Sequence, residues 1–289
     1  MNDLRDYWDD TYMPCQLVGC SSRTIQAHKT ALRLWGRWPD RVPIAEITSR
    51  HLARYSAWLL PGRSAASVNS YIRPILAILN YAARDGDIPK APTYRKLREP
   101  IRSPLAFTKG EFVAVLRVAE SLDGTIAGIR ACLWWPSFLC AGFETGLRIQ
   151  AELSIASRDV LLDQRGFFCQ AEPQKDKEAA WFPLSPGTMD RIRAIFDSRR
   201  ERLWPADRNV DTLRARLRQM MADAKIYAPM GACSVFHRLR KSTASYIAAA
   251  GGNAQLKMGH SSPSTTKHYL DSRIVRPSHG NDLVPAPCD

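Results

Sequence analysis

Apolar residues recur at steps of three and four over most of the first hundred positions, a spacing typical of amphipathic helices. Proline or glycine interrupts the pattern between runs, and serine or threonine stands ahead of several of them. The pattern predicts a compact unit of four helices within residues 1–95. The expected helices span residues 3–13, 22–38, 44–60 and 64–84.

Prolines and basic side chains replace this regularity at residues 96–106, where they predict an extended linker. Beyond it, residues 107–289 form a second domain in which helical periodicity alternates with short apolar runs. The expected helices span residues 109–120, 129–143, 188–201, 211–224 and 237–250, and the expected strands 159–162, 166–169 and 181–184. The sequence therefore predicts a mainly α fold with a small antiparallel β-sheet.

The net charge of the chain indicates the kind of partner it binds. Lys and Arg number 41 against 28 Asp and Glu, which gives a net charge of +13, with +6 on residues 1–100 and +7 on the remainder. Such a balance favours a polyanion that contacts both parts, although a basic surface that serves only solubility is the alternative. Seven cysteines without a C-x-x-C pair and four aspartates in the first ten residues predict a cytoplasmic protein with reduced thiols.

Side chains suited to phosphate chemistry gather between Phe236 and Tyr269. His237-x-x-Arg240 opens an apolar helical run, and Gly259-His260-Ser-Ser-Pro forms a turn before a short helix expected to carry Tyr269. Arginine binds phosphate through a fixed fork of donors, histidine exchanges protons near neutrality, and tyrosine can attack phosphorus. The combination indicates phosphoryl transfer.

These residues resemble the C-terminal motifs of the tyrosine recombinases, or phage-type integrases: H-x-x-R, then G-H-S-S with T-T, then a tyrosine nine positions after the second histidine. Thr145-Gly-Leu-Arg148 is similar to the first arginine motif of that family. The resemblance covers residues 3–275. It implies that residues 1–95 are a helical core-binding (SAM-like) domain and residues 107–289 the catalytic domain of a clamp on DNA.

The resemblance also implies a role for each matching side chain in site-specific recombination. Tyr269 attacks the scissile phosphate, giving a 3′-phosphotyrosyl link and a free 5′-hydroxyl. Arg148 and Arg240 neutralise charge on the non-bridging oxygens. His237 takes the phenolic proton and His260 hydrogen-bonds the phosphate.

In the same family, a lysine at a hairpin tip acts as the general acid. Lys175 matches by its distance to Pro183, and Lys177 is the rival. No cluster of carboxylates accompanies the motifs and no glycine-rich phosphate loop occurs, so the sequence predicts neither a metal nor a nucleotide cofactor.

Two departures from the family pattern stand out. Ala151 occupies the position where an acidic residue usually follows the first arginine, and Glu152 comes one step later. Glu152 either orients Arg148 from the next helical position or is a solvated surface charge. The segment between Gly251 and His260 is about three residues shorter than the family's.

The partners that the resemblance implies are double-stranded DNA with specific sites and a homotetramer assembled on it, joined in some systems by accessory DNA-bending proteins. Apolar Leu270, Ile274 and Val275 are expected to dock on a neighbouring copy. The expected setting is a mobile element acting in the nucleoid. The alternatives are a type IB topoisomerase-like nicking and resealing enzyme, and a catalytically silent DNA-binding protein of the same fold.

Overall fold

The computed structural model describes residues 3–100, 103–171, 179–207, 209–227, 235–259 and 262–275. The chain divides into two compact units, Met1–Ile101 and Arg102–Asp289. The predicted fold class, mainly α with a small antiparallel sheet, is confirmed, because helices dominate both units and the second unit carries small antiparallel sheets. Within the described ranges, no helix has both the length and the apolar composition needed to cross a bilayer.

The first unit begins with a continuous helical stretch and continues with three longer helices. Its elements are α1 (Leu4–Tyr7), a π-helical turn (Trp8–Tyr12), α2 (Met13–Gln16), α3 (Ser22–Trp35), a 3-10 turn (Ile44–Glu46), α4 (Ser49–Leu59) and α5 (Ala65–Asp85). Ser21, Thr48 and Ser64 cap the three longer helices through their hydroxyl oxygens, which accept backbone N–H groups. The expected stop before Pro14 is wrong, because the helical stretch continues through this proline in α2 as far as Gln16.

An aromatic cluster forms the centre of the first unit's core. Trp35 and Trp38 are each 1% exposed and Tyr55 is fully buried. The ring centroids of Trp35 lie 5.0 Å from Trp38 and 4.9 Å from Tyr55. The helical stripe therefore buries its aromatic side, and the basic residues on the other sides are exposed to solvent: Arg23, Lys29, Arg33, Arg37, Arg63 and Arg73.

The second unit alternates helices with two small sheets. Its elements are α6 (Lys109–Glu120), β1 (Thr125–Ile126), β2 (Ile129–Arg130), α7 (Ala131–Thr145), α8 (Ile149–Leu153), a 3-10 turn (Ser157–Asp159), β3 (Val160–Leu161), β4 (Gly166–Cys169), β5 (Ala180–Pro183), α9 (Pro186–Arg193), α10 (Val210–Asp223), α11 (Val235–Ala249), α12 (Ala254–Lys257) and α13 (Pro263–Lys267). Strands β3, β4 and β5 form the expected small antiparallel sheet and pair in that order, with Phe167 opposite both Val160 and Phe182. The β1–β2 hairpin was not predicted, since two-residue strands are too short to display a period.

Helix α7 is the centre of this unit's core. It is apolar on every side, which is typical of a helix enclosed by its neighbours. Trp134, Trp135 and Phe138 are at most 1% exposed. Trp135 and Phe138 contact Phe236 of α11 at ring-centroid distances of 6.4 and 5.8 Å. This packing fixes the beginning of α11 on the first half of α7.

Candidate active site

The loop that follows α7 depends on glycine. Gly146 has a φ of +66°, in the left-handed region where a Cβ is strained. A Cβ at this position would lie 2.9 Å from Cε of Met258 and 3.0 Å from Oγ1 of Thr243. Only glycine fits here without displacing a neighbour, and the chain then extends to Arg148, the half-buried N-cap residue of α8.

Helix α11 holds this loop through two side chains. Nη1 of Arg240 donates to the Gly146 carbonyl oxygen at 2.6 Å, and Nη2 donates to the carbonyl oxygen of Met258, just past α12. Oγ1 of Thr243 donates to the Phe143 carbonyl oxygen at 2.7 Å. Arg240 is 4% exposed, so its charge is enclosed by three chain segments that converge on it.

Tyr269 lies beside the predicted partners of α11. Its ring centroid is 6.0 Å from that of His237, and Cζ of Arg240 lies 5.9 Å from it. Tyr269 follows the end of α13 by two residues, whereas the sequence placed it inside a helix. Its backbone N–H donates to the Thr266 carbonyl oxygen at 2.8 Å, which continues the last turn of α13.

The imidazole of His237 stays neutral because of its surroundings. Burial lowers its pKa to about 4, and the nearby positive charges of Arg240, Lys241 and Arg148 act in the same direction. A neutral imidazole can accept a proton, as a general base requires. The two arginine motifs are joined by the hydrogen bond from Arg240 to the Gly146 carbonyl oxygen, two residues before Arg148.

Glu152 fits neither of its two predicted roles. It is 2% exposed, and burial raises its pKa well above the ordinary range, although a backbone N–H of Gly142 opposes the rise. In the described part of the chain, no hydrogen bond or ion pair joins its side chain to Arg148, and its Oε1 has no hydrogen-bond partner. Arg148 has extended backbone angles (φ −71°, ψ 142°), so the helical spacing on which the prediction depended does not apply.

The predicted set is therefore described for four members: Arg148, His237, Arg240 and Tyr269. Lys175, its rival Lys177, and His260 lie outside the described residues. The shortened segment before His260 contains α12 and delivers the Met258 carbonyl oxygen to Arg240.

Leu270 is half-buried against the small apolar cluster of Ala244, Ala254 and Met258 in its own chain, and Ile274 and Val275 are half-buried as well. Docking of these three residues on a neighbouring copy stays a prediction.

Sequence reasoning missed a set of residues behind Tyr269. Oγ of Ser245 donates to the Tyr269 carbonyl oxygen at 3.2 Å, and Nη1 of Arg273 donates to Oε1 of Glu111 at 2.9 Å. Glu111 and Arg273 are 162 positions apart, so no local pattern connects them. The one available signal was the helix cap Thr108-x-x-Glu111, which explains the glutamate only as a local feature.

Comparisons with known proteins agree with this geometry. The sequence model of the phage integrase family matches residues 126–274. A curated protein of Sinorhizobium fredii (strain NBRC 101917 / NGR234), y4qK, named as an integrase/recombinase, is 26% identical over 160 residues, which cover 52% of this chain and 51% of that protein. The chain thus spans about half the length of this curated relative.

Solved structures share the fold. The Tn1549 transposon integrase in complex with a circular intermediate DNA has a TM-score of 0.75 at 15% identity, covering 93% of this chain and 95% of that one. A lambda integrase dimer bound to a COC′ core site has a TM-score of 0.71 at 17% identity, with the same coverage. Since the family model spans more than half of the chain, from β1 to the segment after Tyr269, the chain belongs to the phage integrase family.

Proposed function

We propose that this protein is a site-specific DNA recombinase that cuts and rejoins strands through a covalent link to Tyr269. The observation that carries the proposal is the meeting of the Tyr269 ring with a neutral imidazole and a buried guanidinium, His237 and Arg240. A phenol next to a proton acceptor and a fixed positive charge suits attack on a phosphodiester.

In the proposed reaction, Oη of Tyr269 bonds to the scissile phosphorus while His237 takes the phenolic proton. The bond from phosphorus to the 5′-oxygen breaks, and Lys175 supplies the proton that this oxygen needs. Arg148 and Arg240 offset the negative charge that grows on the non-bridging oxygens. A 5′-hydroxyl from the partner strand then reverses these steps, so the phosphotyrosyl link conserves the energy for rejoining.

In the first unit, a basic groove is proposed to bind DNA. The groove lies between α3 and α5 and has a volume of about 610 Å³. Its polar lining residues are Ser22, Arg23, Gln26, Thr30, Ser70, Tyr71 and Arg73. Hydroxyl, amide and guanidinium groups are the donors that bind phosphate oxygens in protein–DNA interfaces.

The solved Tn1549 and lambda integrases are complexes with DNA, and one lambda structure is a tetramer on a Holliday junction, which supports a tetrameric assembly here.

The test is the trapping of a covalent adduct. A tightly bound duplex is first selected from a random-sequence library, and derivatives are made with a single nick at each position. A nick beside the cut lets the short 5′-hydroxyl fragment diffuse away, so the adduct accumulates; the derivative that traps the wild type best is called the suicide duplex.

Wild-type protein should form the adduct, and Tyr269→Phe should bind the duplex equally well and form none. The exposed Tyr227 offers a matched control, and Tyr227→Phe should behave as wild type. An adduct that persists in Tyr269→Phe disproves the assignment. Binding without any adduct in the wild type identifies a silent DNA-binding protein, and relaxation of supercoiled plasmid that lacks the selected sequence identifies a topoisomerase.

A further inference from the structure

Helix α11 carries two sets of polar residues on different sides. His237 and Arg240 face the site, and a second set, Arg238, Ser242 and Ser245, lies roughly 140° away around the helix axis. Arg238 is 6% exposed and both serines are fully buried. Buried polar residues need hydrogen-bond partners. The partners of this second set come from chain segments that precede α11 and from the segment that follows α13.

Ser245 holds the backbone on the C-terminal side of the proposed nucleophile. Its Oγ donates to the carbonyl oxygen of Tyr269 at 3.2 Å and accepts the N–H of Asp271 at 3.0 Å. One hydroxyl thus fixes the residue before and the residue after Leu270. The position of the Tyr269 backbone is tied in this way to the helix that bears His237.

Asp271 connects this segment to the beginning of the second unit. It is 2% exposed, and its Oδ2 accepts the backbone N–H of Ala106 at 2.7 Å. Nη2 of Arg273 donates to the same oxygen at 2.8 Å and to the Ala106 carbonyl oxygen at 2.7 Å. Both polar groups of Ala106 are therefore bound by the segment that follows Tyr269.

Glu111 of α6 completes an ionic cluster with two arginines. Its Oε1 accepts from Arg273 and its Oε2 from Arg238, each at 2.9 Å. Burial opposes the ionisation of Glu111 and Asp271, but hydrogen bonds from backbone amides and from Arg273 outweigh it and hold the pKa of each carboxyl below its ordinary range. Two carboxylates face two guanidinium groups, so the cluster is balanced in charge.

We propose that Ser245, Asp271 and Arg273, together called the nucleophile tether, are positioning residues that hold Tyr269 in line for attack within its own protomer. The inference deepens the proposed function and depends on it. Tyr269 sits between two supports, the last turn of α13 before it and the tether after it. A shift of about 1 Å in a reacting group can slow a reaction roughly 100-fold, so loss of the tether affects the cutting step rather than DNA affinity.

Two tether variants and one matched control test the proposal. Ser245→Ala and Arg273→Ala remove tether contacts and leave every proposed catalytic side chain in place. Ser137→Ala is the control, because Ser137 is also fully buried and also bridges two groups, donating to the Trp134 carbonyl oxygen and accepting the Trp204 indole N–H. Amide hydrogen exchange of residues 266–275 is measured in the free protein, and adduct formation on saturating suicide duplex in a single turnover.

Both tether variants should exchange faster over residues 266–275 and form adduct about 10- to 100-fold more slowly, with an unchanged Kd for DNA. Ser137→Ala should change neither quantity at a temperature where all variants are folded. Wild-type rates of adduct formation in both tether variants overturn the inference while the proposed function stands. Absence of adduct in the wild type refutes the proposed function itself, and unchanged exchange in the variants then refutes the tether independently.

Discussion

Buried ionisable residues differ in how well their polar atoms are satisfied in this protein, and their neighbours decide the difference. Arg240 is buried yet held by two carbonyl oxygens, whereas Glu152 is buried with one oxygen lacking a hydrogen-bond partner. An isolated buried carboxylate is costly, so burial raises the pKa of Glu152 well above its ordinary range and favours the neutral form. Local sequence does not reveal this difference, because the partners of each side chain come from other segments of the chain.

His237 allows a direct test of the site's electrostatics. Its imidazole signals in an NMR titration of the free protein should shift near pH 4, since burial and four neighbouring cations disfavour the charged form. Arg240→Gln should raise this pKa, because Arg240 contributes most among those charges. A midpoint near the ordinary value of about 6.5 in the wild type would contradict the burial of this ring.

The same pKa predicts how stability responds to acid. An unfolded chain takes up a proton on this histidine near pH 6.5, but the folded protein does so only near pH 4. The unfolded state therefore binds more protons in this interval, and the free energy of unfolding falls as the pH drops through it. His237→Gln should flatten that part of the pH profile, measured by urea unfolding.

At the scale of elements, the loop between α7 and α8 is shaped by one glycine. Gly146→Ala should cost about 1–2 kcal/mol of stability for its left-handed backbone and should also slow adduct formation, because the new Cβ displaces Met258 or Thr243 beside Arg240. Gly128, in the β1–β2 turn, has a φ of +80° and open space around it. Gly128→Ala should therefore lose similar stability and keep the wild-type rate; equal rates for both variants would show that the crowding is harmless.

The β4–β5 hairpin is predicted to supply the general acid from Lys175. The 5′-oxygen leaves poorly without a proton, whereas a sulfur in its place leaves readily as a thiolate, since a thiol has a pKa of about 8.5. Lys175→Ala should cut the ordinary suicide duplex very slowly and recover on a 5′-phosphorothiolate duplex, and Lys177→Ala should cut both at nearly the normal rate. Rescue of Lys177→Ala instead would identify the rival lysine.

For the whole molecule, we predict a monomer in solution that assembles into a tetramer on two duplexes. Truncation after Asp271 removes Arg273 of the tether as well as Ile274 and Val275, so it should weaken pairing of duplexes and slow adduct formation together. Ile274→Ser with Val275→Ser retains the tether and should weaken pairing alone. Mass photometry with and without duplex measures assembly, and unchanged pairing in both variants would argue against docking through these residues.

Periodicity and caps were enough to predict most of the elements, and motif order pointed to His237, Arg240 and Tyr269, which lie close together in the fold. Helix α6 begins at the residue that its Thr108 cap predicts, and β3, β4 and β5 form the expected small antiparallel sheet. These features depend on interactions within a few residues, which a linear pattern records directly. The basic composition of both parts likewise depends on no fold.

Tertiary structure alone decided the rest. The contacts of Arg240 with Gly146 and of Arg273 with Glu111 join positions 94 and 162 apart. It also decided that Glu152 is buried rather than solvated, because α8 begins after an extended Arg148 and turns its glutamate towards α7. Burial, pKa and long-range hydrogen bonding depend on which surfaces meet when the chain packs, and that information is absent from the spacing of residues along it.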